Sequence, residues 1–254
     1  MNRPATRPVA LITGVGRARG IGAGIARVLA AEGWDLVLSR WHPADIAIFG
    51  ADAASGLEDV ITDVRGTGAR VSDVPVDLER ADAADTLFAA ANSELGAVSA
   101  LVLSHAWDVE SGILDTTVEE FDRHFAVNAR ASWLLVRAFA AQVDGGGAIV
   151  ALTSNHTTGN MPYGASKAAL DRIVISAARE LAPRGISANA LNPGPIDTGW
   201  MDDDVRSALI GAQPGGRLGE PADVAGVVAF LVSPRGRWVT GQLLKADGGF
   251  SISI

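Results

Sequence analysis

The sequence predicts one α/β domain over residues 1–254, in which helices cover both faces of a doubly wound parallel sheet. Short runs rich in β-branched residues alternate with longer alanine-rich segments along the chain, and the short runs are apolar almost throughout. Strands with this composition are typical of parallel sheets that are buried on both faces. No internal repeat, linker or low-complexity tract interrupts the alternation.

The individual elements follow from local patterns. The run VALIT predicts a buried strand at Val9–Thr13, and apolar residues at three-to-four spacing predict a helix over 21–32. Further strands are predicted at 36–38, 70–76, 100–103, 148–152, 186–191 and 242–245. Further helices are predicted between 55 and 70 and at 82–94, 118–142, 163–182 and 222–232. Residues 40–55 are predicted to be irregular, and a stretch rich in proline and glycine precedes the last helix.

The composition excludes several classes of function. The net charge of −8 gives no support to nucleic-acid binding. Because the chain has no cysteine, a disulfide framework, a thiolate zinc site and a cysteine nucleophile are excluded. The four histidines show no ligand spacing, so no metal site is predicted. No apolar run approaches the roughly 20 residues of a membrane span or forms a signal peptide, so we expect a cytoplasmic protein.

A glycine-rich segment follows the first strand, at the sheet edge where doubly wound folds bind ligands. Residues 13–22 have the sequence TGVGRARGIG, and the helix that begins at Ile21 follows directly. Glycines let the backbone approach a phosphate closely, and a helix N-terminus offers free N–H groups. Arg19 occupies the last glycine position of the strict G-x-G-x-x-G fingerprint. The segment favours nucleotide binding, with an ordinary strand-to-helix turn as the alternative.

The end of the second strand bears on the type of nucleotide. An acid there would bind the adenosine ribose hydroxyls and favour NAD, but this chain has Arg40, and Asp35 lies at the opposite end of the strand. A guanidinium pairs well with a phosphate. Arg40, helped by Arg17 or Arg19, therefore predicts NADP in preference to NAD, with a solvated surface arginine as the alternative.

The sharpest motif is a tyrosine followed four residues later by a lysine. Tyr163 is the only tyrosine, and Lys167 is one of two lysines in the chain. On a helix this spacing places both side chains on one face, one turn apart. A nearby ammonium favours the phenolate, so we expect Lys167 to lower the pKa of Tyr163 towards the range useful for proton transfer. The alternative is a surface lysine beside a packing tyrosine.

Two further polar residues accompany this pair. Ser154 lies nine residues before Tyr163, and its hydroxyl could either hydrogen-bond a substrate oxygen or cap a helix. Asn128 lies within a predicted helix, where it is either a buried side chain with partners or a polar residue on a wet face. Serine with histidine also raises a hydrolase as an alternative, although the chain has no G-x-S-x-G motif.

Together these residues resemble the short-chain dehydrogenase/reductase family, and within it the 3-oxoacyl-[acyl-carrier-protein] reductase-like group. The resemblance runs from about Val9 to Phe250. The motifs that carry it are TGVGRARGIG at 13–22, Asp77-Leu78, Asn128, Ser154, Tyr163-x-x-x-Lys167, NPGPIDT at 192–198, and TGQ at 240–242 with DGG at 247–249. The resemblance implies a Rossmann fold that binds NAD(P).

The resemblance also implies roles for individual residues. Tyr163 would protonate a carbonyl oxygen or deprotonate an alcohol, while Ser154 would hold that oxygen. Lys167 would lower the pKa of the tyrosine and bind ribose hydroxyls, and Asn128 would position a water in a proton relay. The implied cofactor-binding residues are Gly14, Arg19, Gly20, Ile21, Arg40, Asp77, Leu78, Ser104, Ala106, Tyr163, Lys167, Pro193, Gly194, Ile196 and Thr198.

Three departures from the family pattern stand out. The glycine loop is two residues longer than the usual T-G-x-x-x-G-x-G. The family's Asn-Asn-Ala-Gly after the fourth strand is replaced by the segment SHAW at 104–107, so His105 and Trp107 are expected to reshape the pocket. The segment between Ser154 and Tyr163 is shorter than usual, which should change one wall of the substrate site. The expected pocket wall includes His156, Met161, Trp200 and Met201, and the last two lie in a segment expected to order on ligand binding.

These observations predict an NADP(H)-dependent oxidoreductase that interconverts a ketone and a secondary alcohol, with 3-oxoacyl thioesters among the candidate substrates. Related enoyl reductases place the lysine six or seven residues after the tyrosine, where this chain has Ala169 and Leu170. The main alternative is a catalytically silent dinucleotide-binding sensor or scaffold. The family forms tetramers through the helices near 118–142 and 163–182, so we expect a homotetramer or homodimer. We expect a small-molecule substrate, and neither nucleic acid nor membrane as a partner.

Overall fold

The computed structural model describes residues 7–50, 56–155 and 159–252, and a parallel sheet forms its centre. The strands are β1 (Val9–Thr13), β2 (Asp35–Arg40), β3 (Val71–Pro75), β4 (Val98–Leu103), β5 (Gly147–Leu152), β6 (Ile186–Asn192) and β7 (Leu243–Lys245). They pair in parallel in the order β3-β2-β1-β4-β5-β6-β7. The strand order reverses between β1 and β4, and a sheet of this kind opens a crevice at that point, outside the carboxyl ends of its strands.

Helices lie on both faces of the sheet. They are α1 (Ile21–Ala31), α2 (His42–Phe49), α3 (Leu57–Gly66), α4 (Ala83–Glu94), α5 (Val118–His124), α6 (Ser132–Gln142), α7 (Met161–Leu181), α8 (Asp203–Ala212) and α9 (Pro221–Val232). Neighbouring residues of β1 point to opposite layers: Ile12 packs with α1, α3 and α9, whereas Leu11 packs with α4, α6 and α7. This alternation explains why β1 is buried at every residue, and the helices on both faces confirm the predicted doubly wound α/β fold.

Two helices lie where the sequence predicts irregular chain. Helix α2 occupies half of the segment 40–55, and α8 lies in the stretch rich in proline and glycine. Neither helix buries a residue, so neither contributes an apolar stripe to the core. Asp202 is a local signal for the start of α8, because its side chain accepts a hydrogen bond of 2.8 Å from the backbone N–H of Val205.

Residues 118–142 form one helical run, as predicted, but its middle is not α-helical. The segment Phe125–Ala131 is π-helical and separates α5 from α6. Short π segments within α-helices are frequent at functional sites. This one carries Asn128, which is completely buried. Within the described ranges, no helix has the length and apolar character needed to cross a bilayer.

Candidate functional site

A cleft of about 920 Å³ lies along the carboxyl ends of the central strands. Its walls combine the turn after β1, helix α2, the end of β3 and the loop after β4. The predicted residues that line it are Gly14, Gly20, Ile21, Arg40, Asp77, Leu78, Ser104, Ala106 and Thr198. In the described part of the chain, the predicted residues Arg19, Asn128, Ser154, Tyr163, Lys167, Pro193, Gly194 and Ile196 lie outside this lining.

The glycine-rich turn brings backbone very close to the loop after β4. Gly14 has a φ of +73°, and a Cβ there would lie 2.7 Å from the backbone N and Cα of His105. A Cβ on Gly22 would lie 2.7 Å from the carbonyl oxygen of Gly14. Gly20 is the N-cap of α1 and has no side chain to occupy the first N–H groups of that helix. The first turn of α1 therefore offers free N–H groups beside the cleft, the arrangement in which helix N-termini can bind anions.

Arg40 lies on the cleft wall but already has an acidic partner. Its Nε donates to Asp73 Oδ1 at 2.9 Å, and its Nη2 donates to Asp73 Oδ2 at 2.8 Å. This hydrogen bonding raises the pKa of Arg40 above its ordinary value. The pairing lies between neighbouring strands β2 and β3, and nothing in the sequence around Arg40 indicates it.

The additional residues of the glycine loop reach across to the segment after β6. Arg17 donates from Nη1 to the carbonyl oxygen of Thr198 at 3.2 Å, and its guanidinium lies 3.6 Å from the centre of the Phe49 ring. Burial lowers the pKa of Arg17. Arg19 lies further out and pairs with Asp197 at 3.2 Å. Of the two arginines expected to help Arg40, Arg17 therefore lies on the cleft wall and Arg19 lies outside it.

The structure brings together the tyrosine, serine and lysine that the sequence singles out. The hydroxyl groups of Ser154 and Tyr163 are hydrogen-bonded. Lys167 Nζ donates to the carbonyl oxygen of Leu152 at 2.9 Å and to that of His105 at 3.4 Å. The same Nζ lies 5.8 Å from the centre of the Tyr163 ring.

The direction of the Tyr163 pKa differs from the expectation. Burial is the largest influence and raises the pKa of the phenol above its ordinary value; the carboxylate of Asp108 acts in the same direction, and only the hydrogen bond from Ser154 lowers it. Burial also lowers the pKa of Lys167 to about 8, against the opposing charges of Asp108 and Asp171. The expected lowering of the Tyr163 pKa is therefore wrong for this arrangement, because desolvation of the phenolate is the largest influence on it.

Asn128 connects the loop after β4 to helix α7. Its Oδ1 accepts from the backbone N–H of Trp107 at 2.7 Å, and its Nδ2 donates to the Trp107 carbonyl and to Ser166 Oγ, both at 2.9 Å. The alternative of a wet helix face is wrong, since the side chain is fully buried. Its hydrogen bonds hold the backbone beside the site and are satisfied by protein groups.

His105 has a structural role that the sequence does not reveal. It replaces an asparagine of the family pattern, and its ring joins β1 to the π-helical segment: Nδ1 lies 2.6 Å from Thr13 Oγ1, and Nε2 lies 3.1 Å from the Val127 carbonyl oxygen. Because that carbonyl can only accept, Nε2 carries the proton. Burial, with a contribution from the charge of Lys167, lowers the pKa of His105 to about 3, so the ring is neutral.

Two residues near Tyr163 were missed by sequence reasoning. Asp108 and Asn160 both line the cleft, and Asn160 Nδ2 donates to Asp108 Oδ1 at 2.6 Å. Asn160 directly precedes α7, which carries Tyr163 and Lys167. The available signal was position, since Asp108 follows the fourth strand at its carboxyl end.

The expected pocket wall is only partly recovered. Trp200 lines the cleft and is 56% exposed. Met161 begins α7 and donates its backbone N–H to the Ser111 carbonyl at 3.0 Å, while Met201 lies outside the cleft lining in the described chain. His156 lies outside the described residues. Among the described residues, no group of three His, Cys, Asp or Glu side chains is placed to hold a metal ion.

Comparison with known proteins extends over nearly the whole chain. A family model described as "Enoyl-(Acyl carrier protein) reductase" matches residues 14–251. The chain is 34% identical over 250 residues to "Uncharacterized oxidoreductase YjdA" of Bacillus subtilis (strain 168), covering 95% of this chain and 96% of that protein. It is 35% identical over 265 residues to "NADPH-dependent aldehyde reductase-like protein, chloroplastic" of Arabidopsis thaliana, covering 97% and 95%.

Solved structures agree with this relationship. The crystal structure of a blue fluorescent protein from a metagenomic library, in complex with NADPH, matches with a TM-score of 0.85 at 31% identity, covering 96% of this chain and 98% of that one. A Rossmann-like sheet with a glycine-rich turn at its switch point is the architecture of dinucleotide-binding proteins.

The chain belongs to the short-chain dehydrogenase/reductase family. It is accordingly an NAD(P)-dependent oxidoreductase that acts between carbonyl and alcohol. Both the predicted family and the predicted class of enzyme are thereby confirmed.

Proposed function

We propose that the chain reduces a ketone or similar carbonyl to a secondary alcohol with NADPH, and catalyses the reverse reaction with NADP⁺, using Tyr163 as general acid and base. The observation that carries the proposal is the grouping of Ser154, Tyr163 and Lys167 beside the cleft wall that Asp108 and Asn160 line, with the two hydroxyl groups hydrogen-bonded. The Arabidopsis relative described as an NADPH-dependent aldehyde reductase-like protein supports the same chemistry.

The residues around the glycine turn fit a bound dinucleotide. Any side chain at Gly14 or Gly22 would collide with backbone, so the turn presents bare backbone beside the cleft. The adjoining N-terminus of α1 would hold the pyrophosphate, with Gly20 and Ile21 at the contact. Asp77 and Leu78 would meet the adenine at the end of β3, while Ser104, Ala106 and Thr198 of the cleft wall would lie at the nicotinamide end. Pro193, Gly194 and Ile196, which precede Thr198 in the chain, are proposed to join them there.

The bound cofactor supplies the hydride, and the residues of this chain handle the proton. Tyr163 would give its phenolic proton to the carbonyl oxygen, which the Ser154 hydroxyl would hold by a hydrogen bond. Lys167, with a pKa of about 8, is mostly protonated at neutral pH, and its ammonium would favour the phenolate left behind and bind ribose hydroxyls. Asn128 would fix the backbone of Trp107 and helix α7 around this set.

The tyrosine–lysine spacing favours carbonyl reduction over reduction of a carbon–carbon double bond. The matching family model is described as an enoyl reductase. In the enoyl reductases the lysine is expected six or seven residues after the tyrosine, and this chain has Ala169 and Leu170 there. Lys167 instead follows one helical turn after Tyr163, on the same face of α7.

Arg40 is proposed to select NADP(H) by pairing with the 2′-phosphate. Replacing it in Arg40→Ala should weaken NADPH binding by about tenfold, the size of one charge-assisted hydrogen bond, and leave NADH binding nearly unchanged. Quenching of tryptophan fluorescence on titration with each cofactor measures both constants. Arg217→Ala is the matched control, since Arg217 forms a similar two-point pair with Asp223 outside this cleft. Equal weakening of NADPH and NADH by Arg40→Ala would contradict the assignment.

A homotetramer or homodimer in the cytoplasm also remains our proposal. Apolar side chains are exposed along α5 and α6, with Val118 at 71%, Phe121 at 37% and Trp133 at 47% of full exposure. Burial of such a face against a second copy would remove a large apolar area from water. Light scattering after gel filtration should give four times or twice the 26.2 kDa of the chain. A mass equal to one chain would refute the assembly.

A further inference from the structure

Asp108 is a carboxylate held at a fixed place beside the proposed reaction centre. It lines the cleft, is exposed to it, and accepts a hydrogen bond of 2.6 Å from Asn160 Nδ2. Asn160 itself is only 6% exposed and directly precedes α7. The backbone N–H of the next residue, Met161, donates to the Ser111 carbonyl, so two hydrogen bonds tie the Asp108 loop to the start of α7.

The charge of this carboxylate acts on both key side chains of α7. Its contribution raises the pKa of Tyr163. It also raises the pKa of Lys167, although burial has the larger effect there and lowers that pKa overall. A negative charge here opposes formation of the phenolate that must remain when Tyr163 gives up its proton. A positive charge on the substrate would cancel this effect while the substrate is bound. The carboxylate is therefore unfavourable for a neutral substrate and favourable for a cationic one.

The surroundings of Asp108 also suit a cation. Arg123, a cation that lines the same cleft, lies 4.6 Å from the centre of the Trp107 ring and is paired with Glu79 at 3.1 Å. It is thus already balanced by an acid. Trp200 also lines the cleft and exposes more than half of its indole. A carboxylate and an indole in one cleft are the two groups that bind an alkylammonium well.

We propose that Asp108 determines specificity, and that the preferred substrate is an amino ketone or amino alcohol whose protonated amine binds the Asp108 carboxylate. This inference rests on the proposed carbonyl–alcohol chemistry and deepens it by naming the substrate class. In the bound state the ammonium donates to a carboxylate oxygen of Asp108 while the neighbouring oxygen of the substrate lies at Tyr163 and Ser154. The amine takes no part in bond making or breaking.

Binding to the protein–NADP⁺ complex tests the proposal without requiring turnover. Calorimetry at pH 7 compares 2-amino-1-phenylethanol, which is cationic, with 1-phenylpropan-1-ol, in which a methyl group replaces the amine. We expect the amino alcohol to bind roughly 10- to 100-fold more tightly, the range of a hydrogen bond to a charged group. Equal binding, tighter binding of the neutral alcohol, or no binding of either would overturn the proposal.

Three variants assign the preference to the residue. Asp108→Asn keeps the shape and removes the charge, so the preference for the amine should fall to less than threefold. Asp108→Glu keeps the negative charge on a longer side chain, so it should retain part of the preference for the amine. Glu110→Gln removes the same charge from an exposed residue on the same loop and cleft wall, and it should keep the wild-type preference. An unchanged preference in Asp108→Asn, or an equal loss in Glu110→Gln, would refute the assignment.

Turnover measurements distinguish this inference from the proposed carbonyl–alcohol reaction on which it rests. NADPH oxidation is followed with 2-amino-1-phenylethanone and with propiophenone, and the amine preference should be expressed mainly in KM. A wild-type protein that reduces propiophenone at least as efficiently as the amino ketone would leave the oxidoreductase proposal standing and refute the role of Asp108. A protein that binds the amine but reduces neither compound would refute the proposed reaction and retain the amine site.

Discussion

Replacing Tyr163 by phenylalanine is expected to lower kcat by roughly 10²- to 10⁴-fold, the usual range for loss of a positioned acid or base. The substitution removes one oxygen from the only tyrosine of the chain, so no second phenol can replace it. The hydrogen bond to Ser154 is lost at the same time, which also weakens the hold on the substrate oxygen. Steady-state NADPH oxidation with a reducible carbonyl measures the effect.

The same variant separates an enzyme from a silent dinucleotide-binding protein. The Kd for NADPH should stay within about threefold of wild type, because phenylalanine keeps the ring that packs beside Lys167. Thermal unfolding should confirm that the fold persists. Ser154→Ala is the companion variant, which removes the other hydroxyl and keeps the phenol. Retention of more than a tenth of wild-type kcat in Tyr163→Phe would contradict the role of the tyrosine.

Gly14→Ala is expected to destabilise the fold by about 2–5 kcal/mol. Roughly 1–2 kcal/mol comes from placing a Cβ on a residue with left-handed backbone, and about 1–3 kcal/mol from forcing a methyl group into a packed contact. The new Cβ would lie 2.7 Å from the backbone of His105, and backbone cannot rotate aside as a long side chain can. Urea unfolding followed by circular dichroism measures the change.

Gly33→Ala is the matched control for this experiment. Gly33 also has a positive φ, of +93°, but a Cβ there would meet nothing within 4 Å among the described residues. The control should therefore show only the backbone cost, about 1–2 kcal/mol. Equal losses of unfolding free energy in the two variants would mean that the contact between the new Cβ at residue 14 and the His105 backbone costs nothing.

The strands and the long helices could be predicted because burial on one or both faces leaves a periodic record in the sequence. Helices α2 and α8 were not predicted, and both lie on the surface, where neither buries a residue. The π-helical segment Phe125–Ala131 was not predicted either, because the run 118–142 is helical throughout and the change from i+4 to i+5 hydrogen bonding has no distinctive residue type. The length of the 118–142 run was accordingly correct, while its local geometry was not.

The residues of the candidate site that belong to sequence motifs could be predicted, whereas the partners of those and neighbouring residues could not. Ser154, Tyr163 and Lys167 were found from spacing and from the scarcity of tyrosine and lysine, and the structure places them together. The partners of Arg40 and Asp108 could not be found, because Asp73 and Asn160 are brought there by strand pairing and by the start of α7. The direction of the Tyr163 pKa depends on burial, which a motif does not contain.

Hydride transfer can be followed directly with NADPH deuterated at both C4 positions. Wild-type protein is incubated with this cofactor and a panel of aldehydes, aryl ketones, amino ketones and 3-oxoacyl thioesters, and the alcohols formed are analysed by mass spectrometry. We predict an alcohol one mass unit heavier than its protium counterpart, with the deuterium on the former carbonyl carbon. Tight binding of NADPH with no deuterated alcohol from any member of the panel would contradict the proposed reaction and favour a sensor or scaffold.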